Sequence, residues 1–112
     1  SLQLGLLVVP SLAQACDAPE APGIPNGDDS TLKEMIAAQA AIKTFQTANA
    51  EYLNCVDQLM DAEKALIDDG EKNAQERWTL AAANYNAAVT REEQVAEAFN
   101  TAIRAYKAAN PN

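Results

Sequence analysis

The sequence of 112 residues predicts an all-α fold: a two-helix antiparallel hairpin that packs like a coiled coil, preceded by an extended proline-rich N-terminal arm. Between residue 30 and Pro111 there is no proline, and the only glycine is Gly70. Apolar residues recur at spacings of three and four on both sides of that glycine, as helices require. The two segments are each about 37 residues long, so they can lie antiparallel along their full length.

The first 15 residues resemble part of an export signal. Residues 2–9 are mostly apolar, and the sequence Ala-Gln-Ala at 13–15 forms an A-x-A pattern directly before Cys16. We therefore predict that residues 1–15 are a partial signal peptide that is cleaved, which places the mature chain in the periplasm or outside the cell. Three alternatives stay open: a membrane anchor, which needs about 20 apolar residues, a short core helix, and lipidation of Cys16, although Ala13 stands where a lipobox has leucine.

Composition excludes several functional classes. The net charge is −8 and residues 1–15 carry none of it, which argues against nucleic acid, against anionic membrane surfaces and against stable membrane insertion of the mature chain. The chain has no histidine, no glycine-rich phosphate loop and no recognisable catalytic constellation. We therefore predict no enzymatic activity, no catalytic residue, no cofactor and no metal site.

The arm occupies residues 16–29. Pro19, Pro22 and Pro25 follow one another at three-residue spacing, which is typical of polyproline II conformation. Asn26-Gly27 then indicates a turn before the helices begin.

The hairpin is expected over residues 30–110. Thr31 and Glu34 form a capping-box pattern that predicts the start of the first helix. A second such pattern, Thr90-x-x-Glu93, leaves open a break inside the second helix, although the apolar spacing continues through it. The expected bounds are about 31–67 for helix 1, about 68–72 for the turn and about 73–109 for helix 2.

A heptad seam is predicted along each helix. The predicted seam of helix 1 is Met35, Ala38, Ile42, Phe45, Asn49, Tyr52, Val56, Leu59, Glu63 and Leu66. The predicted seam of helix 2 is Trp78, Ala82, Tyr85, Val89, Glu92, Ala96, Phe99, Ile103 and Tyr106. The aromatic residues of both helices lie on these seams, which indicates a role in the core.

The two cysteines are predicted to form a disulfide. If the arm folds back along the hairpin from residue 30 to Cys55, it must span about 37 Å of helix. Its roughly 14 residues cover some 43 Å in polyproline II conformation, so Cys16 can reach Cys55. The alternatives are unpaired cysteines or a bond between chains.

Together these motifs resemble a group of small exported proteins of Proteobacteria. The resemblance rests on the cysteine and proline spacing of the arm, on Tyr52-Leu53-x-Cys55, on Tyr85-Asn86-x-x-Val89 and on the run from Phe99 to Lys107. It covers nearly the whole mature chain. Because that group carries no assigned activity, the resemblance implies a compartment and an architecture but no function.

Polar seam residues have plain structural explanations. Glu63 and Glu92 do not lie at one level as an acid/base pair would, and Glu63 is expected to form a salt bridge with Arg77. Asn49 is expected to fix the helix register through a partner such as Asn86 or Thr90. Four acidic groups, none with calcium-loop spacing, are expected to serve as helix caps or solvated surface: Asp28-Asp29, Asp57/Asp61, Asp68-Asp69-Gly70-Glu71 and Glu92-Glu93.

The sequence thus favours a non-enzymatic interaction or structural protein of the bacterial envelope. The alternative is a periplasmic module that binds a small molecule or an ion in the groove between the arm and the helices. The expected partner is an unknown protein or a second copy in a weak homodimer, because a two-helix hairpin buries only one stripe of each helix. The alternative is a disulfide-stabilised monomer in which the arm covers a second stripe through Ile24 and its prolines. Small residues beside the seams would let another helix approach: Ala37, Ala41, Ala48, Ala62, Ala81 and Ala88.

Overall fold

The computed structural model describes residues 16–112, so the predicted signal peptide and its cleavage site lie outside the described residues. A 3-10 helix, Gly27–Asp29, precedes two long helices, α1 (Leu32–Asp68) and α2 (Ala74–Ala109). The two helices pack against each other, and the described part contains no strand. The predicted all-α hairpin is confirmed.

The start of α1 is fixed by the capping box. The hydroxyl of Thr31 accepts from the backbone N–H of Glu34 at 3.1 Å, and the Glu34 carboxylate accepts from the backbone N–H of Thr31 at 2.7 Å. Each side chain thereby satisfies a helix-end donor that has no partner within the helix. The prediction from Thr31-x-x-Glu34 is confirmed.

The chain reverses direction immediately after α1. Gly70 has a φ of 79°, and its N–H donates to the carbonyl of Ile67 at 3.0 Å, while Glu71 donates to Leu66 at 2.9 Å. These two bonds form a Schellman motif, in which a left-handed residue just after the helix end allows the last carbonyls to be paired. Glycine suits this position because it has no side chain to oppose a positive φ.

Helix α2 is continuous over its 36 residues, from Ala74 to Ala109. The second capping-box pattern at Thr90 and Glu93 therefore does not interrupt it. Asn73 precedes α2 in the left-handed region with a φ of 71° and makes no side-chain cap. The uninterrupted helix predicted from the apolar spacing is confirmed.

The buried residues match the predicted seam in α1 but not in α2. In α1 the buried residues all belong to the predicted set: Met35, Ala38, Ile42, Phe45, Asn49, Tyr52, Val56 and Glu63. In α2 the prediction is wrong, because the buried residues each precede a predicted seam residue by one position: Ala81, Ala88, Val95 and Ala102, with Ala74 continuing the stripe. The large residues predicted there remain partly exposed: Trp78, Tyr85, Phe99 and Tyr106.

The position of the arm explains why α2 buries a different side from the predicted one. Ala21 and Ile24 of the arm pack against a cluster formed by Ile42, Phe45 and Val95. The arm therefore lies in the groove between the two helices and covers the alanine side of α2. Small residues at seven-residue intervals leave room for a chain to lie close to the helix backbone, which large side chains would prevent.

Candidate functional site

A disulfide joins the arm to the middle of α1. Cys16 and Cys55 are bonded with their Cα atoms 5.6 Å apart, as the sequence predicts. Since these are the chain's two cysteines, neither thiol is free to act as a nucleophile or a metal ligand. Cys16 also packs against the cluster of Tyr52, Val56 and Ala81, so the bond holds the arm's first residue in the interhelical groove.

The other end of the arm is held by close backbone packing. Gly27 is buried, and the 3-10 helix that it begins packs on α2. A Cβ placed on Gly27 would overlap the carbonyl oxygen of Ala102 and lie 2.8 Å from the backbone nitrogen of Tyr106. The arm is therefore fixed at two points, by a covalent bond at Cys16 and by a glycine contact at Gly27. The sequence predicts Gly27 only as a turn residue and does not indicate this contact.

An ion pair joins the helices near the turn. Arg77 donates from Nε to both carboxylate oxygens of Glu63, each at 2.9 Å, which confirms the predicted salt bridge. The Glu63 side chain is 8% exposed and that of Arg77 is 46% exposed. The hydrogen bonds that Arg77 donates to Glu63 raise the pKa of Arg77 above its ordinary value, although desolvation opposes part of this effect. Arg77 therefore stays positively charged throughout the neutral pH range.

Asn49 is fully buried in the helix interface, but its partners differ from the predicted ones. Its side-chain amide donates to the carbonyl of Ala88 at 3.2 Å and to Oε1 of Glu92 at 2.9 Å. Asn86 and Thr90, the predicted partners, are both exposed. The one-residue shift of the α2 seam is the reason, because it brings Ala88 to face Asn49.

The hairpin has an apolar side that the arm does not cover. We define the open face as the groove on the far side of the seam from the arm. Its α1 side is lined by Leu32, Ile36, Gln39, Gln46 and Leu53, and its α2 side by Val89, Glu92, Ala96 and Ile103. Within the described residues, Leu32 and Ile36 are two of the three large hydrophobic side chains that are exposed, at 58% and 57%.

A smaller cavity lies on the arm side, between Cys16 and the ion pair. It measures about 120 Å³, below the roughly 300–1,000 Å³ of ordinary small-molecule sites. Its lining is mainly apolar and includes Val56, Leu59, Leu80 and Ala81, with Arg77 at its far end. We call this region the groove extension, since it continues the groove in which the arm lies.

Residues 16–112 contain no group of three or more histidine, cysteine or acidic side chains placed to hold a metal ion. In the same part of the chain, neither helix has a stretch long and apolar enough to span a bilayer. Comparison with known proteins finds no matching family, no matching curated protein and no matching solved structure.

One signal in the sequence could have revealed the arm's position. Ala74, Ala81, Ala88 and Ala102 stand at multiples of seven residues, with Val95 completing the series. A stripe of small residues at this spacing indicates that another backbone approaches the helix closely. The small size of Ala81 and Ala88 predicts contacts with a second hairpin, whereas these residues contact this chain's own arm and α1.

Proposed function

We propose that this chain is a non-enzymatic, exported protein of the bacterial envelope that acts by binding another protein through the open face. Export is supported by the disulfide, because such bonds persist in oxidising compartments. The A-x-A pattern before Cys16 supports it independently.

The single observation that carries the proposal is the exposure of Leu32 and Ile36 on a groove that runs along both helices. No residue of the arm or of the 3-10 helix lines this groove, so no described segment covers it. Contiguous apolar surface bordered by polar residues is typical of protein interaction sites. A helix or a helical hairpin fits it, since packing there would complete a three-helix or four-helix bundle.

The partner is proposed to be either an unknown envelope protein or a second copy in a weak homodimer. The middle of the open face carries the carboxylates of Glu92 and Glu93, and one of its ends carries Lys107. A partner must therefore place polar or cationic groups opposite Glu93, because an unpaired carboxylate is costly to bury. This requirement favours weak, reversible association over a permanent one.

A pull-down from envelope extract under non-reducing conditions tests the interaction. The bait is compared with Ile36→Glu, which charges the open face, and with Ala87→Glu, which adds the same charge at another exposed α2 position. We expect one stoichiometric protein with the wild type and with Ala87→Glu, and its loss with Ile36→Glu. Equal recovery by all three baits would contradict the proposal, and a co-purified small molecule on a lone chain would favour the alternative of a ligand-binding module.

The intact mass of the exported protein tests the compartment. We expect a chain that begins at an unmodified Cys16, with a mass two hydrogen atoms below that of the dithiol form because of the disulfide. An added diacylglycerol would show a lipoprotein instead, and retention of residues 1–15 would contradict cleavage.

A further inference from the structure

The arm shows what kind of chain the groove between α1 and α2 accepts. Over residues 16–25 it has no helical or strand structure, and it consists largely of proline, alanine and glycine. Its one large aliphatic side chain, Ile24, packs against the cluster of Ile42, Phe45 and Val95. On the α2 side the groove is lined by alanine and valine at seven-residue intervals, which suits a thin, extended chain.

The groove does not end where the arm begins. Past Cys16, the groove extension continues along Val56 and Leu59 of α1 and along Ala81 of α2, as far as the pair of Glu63 and Arg77. From Val56 to Glu63 there are seven residues of helix, or about 10 Å. That length matches roughly three residues of polyproline II chain at about 3.1 Å each.

The rim of the groove extension is apolar and exposed. Leu80 is 63% exposed, the highest value among the large hydrophobic side chains of the described residues. Asn84 lies on the same rim and supplies an amide donor and acceptor. A chain that lay here would cover Leu80 in the way that the arm covers the groove next to it.

Arg77 adds hydrogen-bond donors at the far end. Its Nε makes both bonds to Glu63, while the guanidinium carries four further N–H groups. A polyproline II chain has no internal hydrogen bonds, so its carbonyl groups are free to accept. Because Glu63 neutralises the guanidinium charge, these donors suit an uncharged backbone better than an anionic ligand.

We propose that the groove extension binds a short, extended, uncharged segment of a partner protein, rich in proline and alanine like the arm. The continuity with the arm's own interface and the donors of Arg77 carry this assignment. The site is separate from the open face, and it rests on the proposed function only in that residues 1–15, which lead directly into Cys16, are removed. Extended proline-rich segments suit such a shallow groove because they lose little conformational entropy on binding.

A peptide titration tests this site. The probe is an acetylated and amidated peptide with the sequence Ala-Pro-Gly-Ile-Pro, which is that of residues 21–25, added to the oxidised, isotope-labelled protein. We expect saturable binding at millimolar or lower concentration, with amide shifts concentrated at Val56, Leu59, Leu80 and Asn84. The variant Leu80→Glu should weaken binding at least tenfold. Leu32→Glu is the matched control, an equally exposed leucine on the open face, and should bind as the wild type does.

Three results would overturn the proposal. The first is no saturable binding at several millimolar peptide. The second is equal affinity for Leu80→Glu and wild type, or a loss confined to Leu32→Glu, which would place the peptide on the open face. The third is a shift pattern centred on Phe45, Val95 and Phe99, which would show that the peptide displaces the arm. None of these results bears on whether a partner binds the open face.

Discussion

The side-chain amide of Asn49 donates to a carboxylate oxygen of Glu92 across the helix interface, at 2.9 Å. The amide nitrogen also donates to the carbonyl of Ala88. Because both acceptors lie on α2, the nitrogen must face that helix. The oxygen of this amide has no protein partner among the described residues. A fully buried amide with directional partners ties one level of α1 to one level of α2, which is how polar seam residues fix register.

Replacing Asn49 with aspartate tests this register contact. The substitution Asn49→Asp keeps the shape but removes the donor, so a carboxylate would face Glu92 and the carbonyl of Ala88. We expect a loss of about 1 to 3 kcal/mol in the free energy of unfolding at neutral pH. The deficit should shrink toward about pH 4, where a carboxyl group gains a proton that it can donate. Urea unfolding measures both effects.

The matched control is Asn86→Asp, at an exposed position on α2 that the sequence had suggested as the partner of Asn49. It should change stability by no more than about 0.5 kcal/mol. Equal effects of the two substitutions would mean that the buried amide does not contribute specifically.

The disulfide is expected to stabilise the fold strongly. It joins residues 39 positions apart, and the chain-entropy treatment gives roughly 4 kcal/mol for a closed loop of this size. Cys16→Ser or Cys55→Ser should therefore lower stability by about 2 to 5 kcal/mol and free the arm. Helix content should remain largely intact, because the helices do not include the arm. Thermal melts followed by circular dichroism, with and without reductant, test this, and identical melts would show that the bond is irrelevant to stability.

Gly27 and Gly23 form a natural comparison within the arm. A Cβ on Gly27 would meet the α2 backbone at Ala102 and Tyr106, whereas one on Gly23 would have no atom within 4 Å. Gly27→Ala should therefore cost about 1 to 3 kcal/mol, since the arm or the helix must move. Gly23→Ala should be neutral to within about 0.5 kcal/mol. If chemical denaturation gives the same midpoint for both variants, the close contact at Gly27 does not hold the arm.

The sequence predicted the fold well, because the residues that begin and end its helices are unambiguous. Thr31 and Glu34 fixed the start of α1, Gly70 marked the turn, and the apolar residues of α1 identified its buried side. The burial of α2 was mispredicted because large residues were favoured over alanine. Which stripe of a helix is buried depends on what packs there, and the position of the arm is a tertiary fact that local spacing does not contain.

The contacts of the candidate sites could be predicted from the sequence, whereas the exposed surfaces could not. The length of the arm predicts the bond between Cys16 and Cys55, and equal distance from the turn predicts the pair of Glu63 and Arg77. The sequence does not predict the open face or the groove extension, because both are defined by where the arm lies. Once the arm is placed, the uncovered surfaces follow directly.

Self-association is expected to be weak and dependent on salt. A second hairpin can cover the open face, but each copy carries a net charge of −8, so two copies repel each other at low ionic strength. We expect the weight-average mass in sedimentation equilibrium to rise above that of the monomer between micromolar and millimolar concentration, and to rise further with added salt. Ile36→Glu should reduce this association and Ala87→Glu should not. A constant monomer mass at every concentration and salt level would remove the homodimer and leave a different partner for the open face.

Site-specific photo-crosslinking in the exporting cell tests whether this protein binds a partner through the open face. A photoreactive phenylalanine derivative replaces Ile36, which is 57% exposed on that face, and in a parallel strain it replaces the exposed Ala87. We expect a discrete higher-mass adduct from position 36 after irradiation and none from position 87. Absence of an adduct from position 36, or the same adduct from both positions, would contradict it.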